Sequence, residues 1–170
     1  MALKGDFAKL ARLQAKLKTL ASSDTQTRLT NVLGAEALAQ VQFGFRESRD
    51  PYGQGWAALK LRAGGKPLLD TGRLRSSFSY QPQRSAFRIG TNFIGAPVHQ
   101  YGATIRPKRG KFLRFKGKVH GRTRKTTGWI FAKEVTIPRR QMVPEGSPGP
   151  IWAKALNAAG TRFLSRLMKG

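Results

Sequence analysis

Apolar residues at Leu3, Phe7, Leu10, Leu13, Leu17 and Leu20 recur every three or four positions, with Lys4, Lys9, Arg12, Lys16 and Lys18 between them. This is the period of a helix with one apolar face, and it predicts a first helix from about Leu3 to Leu20. Such a stripe packs on its own domain or on a neighbouring subunit; the basic opposite face also suits a membrane surface. Ser23, Asp24, Thr25 and Gln26 have the form of a capping box, with Ser23 as cap and Gln26 reaching back. They open a second helix with Leu29, Val32, Leu33, Val41 and Phe45 as its apolar face. Pro51 disfavours the helical conformation at Asp50, which ends that helix near Arg49.

Asp50, Pro51, Tyr52, Gly53, Gln54 and Gly55 then form a turn-rich run closing on Trp56, an indole that is costly to leave exposed and so anchors the loop. After a loop tip at Ala63, Gly64, Gly65 and Lys66, Asp70 or Thr71 is placed to cap a short helix through Leu74. Phe78 and Tyr80 alternate on one strand, Phe87 and Ile89 on the next, with a hairpin turn over residues 81–85. Gly90, Thr91 and Asn92 turn the chain into a short helical piece carrying His99 and Gln100.

Residues 106–125 hold ten Lys or Arg, one His and no acid, interleaved with Phe112, Leu113 and Phe115; they read as a long two-stranded arm. Trp129, Phe131, Val135 and Ile137 alternate over a strand that ends at Pro138. Ser147 caps, with Pro148 at the first turn, a C-terminal helix whose face is Trp152, Leu156, Ala159, Phe163 and Leu167. The predicted plan is α+β over one domain, residues 1–170. It has N-terminal helices within 3–49, a central antiparallel sheet over 67–140 carrying the basic arm at 106–128, and a C-terminal helix at 148–168.

Composition changes the picture through charge. The chain has 170 residues, 39% of them hydrophobic, enough for an ordinary core, yet 32 Lys and Arg stand against 8 Asp and Glu, a net charge of +24. A charge of that size draws in polyanions or acidic protein surfaces. With no cysteine there is no disulfide, thiolate metal site or cysteine nucleophile. No window approaches a membrane span and the N-terminus lacks a secretory apolar region, so the reading is a soluble protein in the cytoplasm where it is made, with no membrane partner.

Catalytic chemistry finds little to stand on. His99 and His120, without cysteines, make a poor metal pair. The acids are scattered, and no phosphate loop surrounds Gly64, Gly65 and Lys66. Asp70, His99 and Ser76 are triad-like residue types without a nucleophile turn; the structural reading makes Asp70 a cap and His99 a hydrogen-bonded core histidine. The reading is no enzyme, no metal and no cofactor. The strongest binding signal is Arg106, Lys108, Arg109, Lys111, Arg114, Lys116, Lys118, Arg122, Arg124 and Lys125, which suit DNA phosphates or an acidic partner, with Phe112, Phe115 and Trp129 placed to stack on bases. The alternative function is therefore a non-specific DNA-binding protein.

Four motifs in sequence order carry a resemblance: Asp50 to Trp56 (DPYGQGW), Leu69 to Ser77 (LDTGRLRSS), Gly90-Thr91-Asn92 with His99-Gln100-Tyr101-Gly102, and Ile137-Pro138-Arg139-Arg140. Over roughly residues 28–157 the chain resembles the phage virion morphogenesis family, which includes tail-completion and neck proteins of Mu-like and related tailed phages. The resemblance implies a non-enzymatic α+β subunit assembling as a ring, six copies being expected, at the head–tail junction where the genome passes. It makes structural residues of Asp50, Pro51, Gly53, Trp56, Asp70, Thr71, Gly72, Leu74, Gly90, Thr91, Asn92, His99, Gln100, Gly102, Ile137 and Pro138. The implied partners are other copies of itself, portal, adaptor, stopper and tail-tube proteins, and passing DNA, and the implied location is the virion. The chain departs from the family after Pro138, where Arg139 to Pro144 (RRQMVP) stands in place of Ala-Arg-Pro-Phe, and in the basicity of residues 108–128.

Overall fold

A computed structural model describes residues 7–59, 65–120 and 125–169, the side chains of Phe7 and of residues 116–127 excepted. Five helices and six strands follow one another, an α+β architecture. They are α1 (Phe7–Ala21), α2 (Ser23–Glu47), α3 (Arg73–Ser76), β1 (Phe78–Pro82), β2 (Phe87–Thr91), α4 (Ala96–Tyr101), β3 (Ala103–Ile105), β4 (Leu113–His120), β5 (Lys125–Ala132), β6 (Val135–Ile137) and α5 (Pro150–Lys169).

The central element is α2. Its cap falls one residue earlier than the box pattern predicts: Ser22 Oγ accepts from Thr25 N at 3.2 Å, and Ser23 is already helical. At the other end Ser48 closes the helix in the left-handed conformation, φ 55° and ψ 45°. The buried face is Thr25, Thr30, Gly34, Ala37, Val41 and Phe45, so small residues do much of the work expected of Leu29, Val32 and Leu33. They are small because the β1–β2 hairpin lies against them. A Cβ on Gly34 would run into the Tyr80 ring, and Thr30 Oγ1 donates to Gln83 O at 2.8 Å in the hairpin turn. The larger residues Leu29, Val32 and Leu33 are half-buried on a helix that also packs against α5.

The antiparallel sheet predicted over residues 67–140 takes the form of three two-stranded ladders, β1–β2, β3–β6 and β4–β5. The last two are nested in one long excursion from Ala103 to Ile137. Its ladder breaks between the Ile105–Val135 and Leu113–Ala132 pairs, with residues 106–112 on one side and only 133–134 on the other. The predicted single strand from Trp129 to Ile137 is therefore cut in two, because unequal lengths cannot stay in register. Arg106 Nε meets Glu134 Oε2 at 3.0 Å across the break.

Two other caps differ from expectation. Gly72, with φ 77° and no side-chain hydrogen bond, stands at the start of α3; Thr71 Oγ1 accepts only a long contact from Arg73 N, 3.5 Å. α5 begins at Pro150, and Gly149 O takes its first helical bond, from Ala153 N at 2.8 Å. The core gathers α2, the loop after it, β1, α4 and α5 around Ala37, Val41, Phe45, Trp56, Leu74, Phe78, Ala96, Met142 and Trp152.

Candidate functional site

The Asp50 loop is built by one carboxylate. Asp50 Oδ1 accepts from Tyr52 N at 2.9 Å and Gln54 N at 2.8 Å, an Asx turn, and Gly53 takes the left-handed conformation this needs, φ 94°. Pro51 is buried beneath it. The loop returns on itself so that Trp56 N reaches Ser48 O at 2.7 Å. Trp56 is thereby delivered to the core, edge-on to Phe45 with ring centres 5.4 Å apart. Its indole Nε1 donates to Gln141 O at 2.9 Å, which makes it the anchor the sequence predicts.

That bond is one of several converging on residues 138–149, a strap with no helix or strand of its own. Such a strap has to find hydrogen-bond partners elsewhere. Gln100, only 5% exposed, accepts through Oε1 from Met142 N (2.8 Å) and Val143 N (3.3 Å) and donates through Nε2 to Val143 O (2.8 Å). Arg140 N donates to His99 O at 2.7 Å. The buried Arg140 side chain in turn donates to Ala57 O (2.9 Å) and Ala58 O (3.2 Å). Tyr52 Oη bonds both backbone groups of Glu145. Gly102, at φ 75°, lets the strap pass: a Cβ there would stand 3.0 Å from Arg139 N and 3.2 Å from Ile137 O.

The strap thus joins the Asp50 loop, the His99-Gln100 helix and the Ile137-Pro138 motif. Thr91 belongs to a different junction, where its Oγ1 meets Ser77 Oγ at 2.5 Å and accepts from Phe93 N at 3.0 Å. Leu74 is a core residue, while Asp70, Gly90 and Asn92 lie at the surface. Arg140, Tyr52 and Gln141 were missed as site residues; the Ile-Pro-Arg-Arg motif was the signal for Arg140, and a buried arginine in a chain this basic has no other mark in sequence.

Asp70, Thr71, Leu74, Phe93, His99 and Arg140 border a cleft of about 440 Å³. His99 Nδ1 is buried there without a hydrogen-bond partner, in contrast to the bonded core histidine expected. Ser76 Oγ donates to Arg73 O at 3.1 Å and is not among the residues that border this cleft. Among the described residues no three His, Asp or Glu side chains gather as metal ligands. Burial, and after it the Arg140 charge, push the His99 pKa below its ordinary 6.5; burial also lowers Arg140, which stays protonated.

The His99 shift has a stability consequence. The unfolded chain binds the His99 proton more readily than the folded one, so the stability held by neutral His99 is complete above about pH 6.5 and is lost as pH falls through the folded value. Urea unfolding at a series of pH values should show wild type losing more stability below that point than His99→Gln. Parallel pH profiles would refute this assignment.

A model of the phage virion morphogenesis family matches residues 8–147, which takes in the Asp50 loop, the His99-Gln100 helix and most of the strap. The chain belongs to the phage virion morphogenesis family. No curated protein and no solved structure matches it significantly. It is accordingly a virion-associated protein of structural type.

Two surfaces of this virion morphogenesis protein stand out. On α1, Leu10, Leu13 and Leu17 are 52%, 51% and 55% exposed; among the described residues of the stripe, Leu20 is half-buried. The helix is tied to the end of α5 by Lys16 Nζ, which donates to Met168 O at 2.7 Å, and Leu164 and Met168 add exposed apolar groups there. The other surface is the basic stretch. Lys108, Arg109 and Lys111 are exposed between the two nested ladders, and the Arg114 guanidinium lies 4.2 Å over the Trp129 ring. Lys116, Lys118 and Lys125 hold ladder positions, but their side chains lie outside the described residues, as do Arg122 and Arg124 entirely.

Proposed function

We propose that the protein is a ring-forming structural subunit at the head–tail junction, a neck or tail-completion component without enzymatic activity. The observation that carries the reading is the apolar face of α1, a stripe of three leucines each more than half exposed that the described residues leave uncovered. An apolar groove of about 430 Å³ bordered by Phe93, Ile94, Ala96, Pro97, Tyr101 and Val143 gives a head-to-tail contact its other half, with Ile94 at its lip 95% exposed. A stripe on one copy meeting a different surface on the next makes a heterologous interface, which closes into a ring when its rotation permits. Six copies fit such a ring, with portal, adaptor, stopper or tail-tube proteins on its two faces and the genome passing through.

Light scattering after gel filtration, with negative-stain microscopy, tests the reading. The wild-type chain should run as a closed oligomer, and Leu10→Glu/Leu13→Glu/Leu17→Glu should run as a monomer with unchanged helix content by circular dichroism. Phage lacking the gene should accumulate unjoined heads and tails. A strictly monomeric wild type, together with complete particles from the deletion, would dispose of the proposal.

A further inference from the structure

The β4–β5 ribbon has two unlike sides. Directly paired residues in an antiparallel ladder share a side, so Leu113 with Ala132 and Phe115 with Ile130 lie on one, and Arg114 with Phe131 on the other. Exposure follows the register: the first four are half-buried, while Arg114 is exposed and Trp129 and Phe131 are 50% and 62% exposed. Positions 116 and 118 fall on the Arg114 side at intervals of about 6.8 Å. At the root of the ribbon the longer side of the broken ladder adds Lys108, Arg109 and Lys111, all exposed. From Thr71 to Lys133 the sequence has fifteen Lys and Arg and no acid. The next residue, Glu134, is already engaged by Arg106.

We propose that this strip, the 106–112 bulge together with the Arg114–Trp129 side of the ribbon, is a contact surface for the sugar–phosphate backbone of duplex DNA. Lys and Arg occupy the alternate register positions 114, 116 and 118 of an extended ribbon, a spacing that suits a linear polyanion, whereas an acidic protein surface offers a bounded patch. The exposed side carries Arg114, Trp129 and Phe131 but no described Asn or Gln to read base edges, so binding is independent of sequence. Stacking on Trp129 holds the Arg114 guanidinium in place, which lowers the entropy lost when it meets a phosphate. The contact does not depend on the subunit's being in a ring.

The test uses the full chain and a fluorescein-labelled duplex of about 30 base pairs, with anisotropy measured between about 50 and 200 mM salt. Affinity should fall linearly in a log–log plot. Lys108→Glu/Arg109→Glu/Lys111→Glu should bind at least about tenfold more weakly, with the slope flattened by about 0.9 for each phosphate no longer neutralised. Arg162→Glu/Arg166→Glu/Lys169→Glu on α5 changes net charge equally and should leave both nearly as they were. Should the first variant not fold, Arg109→Gln serves, with a slope change of about 0.9.

Trp129 supplies a local readout, because Trp56 and Trp152 are 9% and 5% exposed. Duplex should protect Trp129 from acrylamide quenching. The proposal is overturned if duplex does not bind, if the α5 variant weakens binding as much as the bulge variant, or if duplex binds without protecting Trp129. Binding to poly-L-glutamate in place of duplex would also overturn it and assign the strip to an acidic protein.

Discussion

Phe45→Ala is expected to destabilise the protein by about 3–5 kcal/mol, a large share of the stability of a domain this size. Phe45 is fully buried and, with Val41, is one of the two largest side chains wholly out of solvent among the described residues. It stands edge-on to Trp56 at 5.4 Å and to Phe78 at 5.8 Å, so one ring joins α2 to the Asp50 loop and to β1. Truncation removes both aromatic pairs and leaves a cavity between three elements that are fixed by other contacts and cannot all close in. Urea titration followed by tryptophan emission should show the midpoint lowered by about 2 M, taking a slope near 2 kcal/mol/M. A loss below about 1 kcal/mol would mean that the three elements do not meet at this ring.

Gln100→Leu is expected to cost about 2–4 kcal/mol, through hydrogen bonds rather than volume. The amide occupies its site as donor and acceptor at once, and leucine fills similar space with neither. Val143 O keeps a second donor, Gln141 Nε2 at 3.1 Å, so the penalty falls on the Met142 and Val143 N–H groups. Hydrogen exchange separates this mechanism from general loosening: the amides of residues 142 and 143 should lose protection well beyond those of α2. Uniform loss across the chain would assign the effect to the core instead.

What the sequence made legible was whatever repeats. The periods of α1, α2 and α5 and the alternation in the β1–β2 hairpin are local signals of burial, and the elements lie where those signals put them to within a few residues. Caps slipped by a residue or two because Ser22 and Ser23, or Pro148 and Pro150, offer the same chemistry at neighbouring positions. At α5 the close approach of Gly149 to Pro51 and Tyr52 is a long-range contact that no local pattern records. The division of the sheet was not legible, since unequal segment lengths at 106–112 and 133–134 show only once the pairing is known. The motifs were visible as residues but not as roles: Gln100 and Arg140 act on backbone groups 40 or more residues distant, and no local pattern records such a partner. The unpartnered Nδ1 of His99 was likewise invisible, because burial of one ring nitrogen depends on Arg140 and the cleft around it.

The strap also sets an order of events during synthesis. Trp56 waits for Gln141, Tyr52 for Glu145 and Gln100 for Met142, separations of 85, 93 and 42 residues. A nascent chain that ends before about residue 145 has the Asp50 loop held to α2 through Trp56, against Ser48 O and the Phe45 ring, but lacks the hydrogen bonds that the strap adds. Pairings of such long range slow the final step, and at ribosomal speeds of about 5–20 residues per second the earlier elements stand incomplete for several seconds. The hydrogen bonds that lock the Asp50 loop and the His99-Gln100 helix to the strap are therefore completed only after most of the chain has left the ribosome.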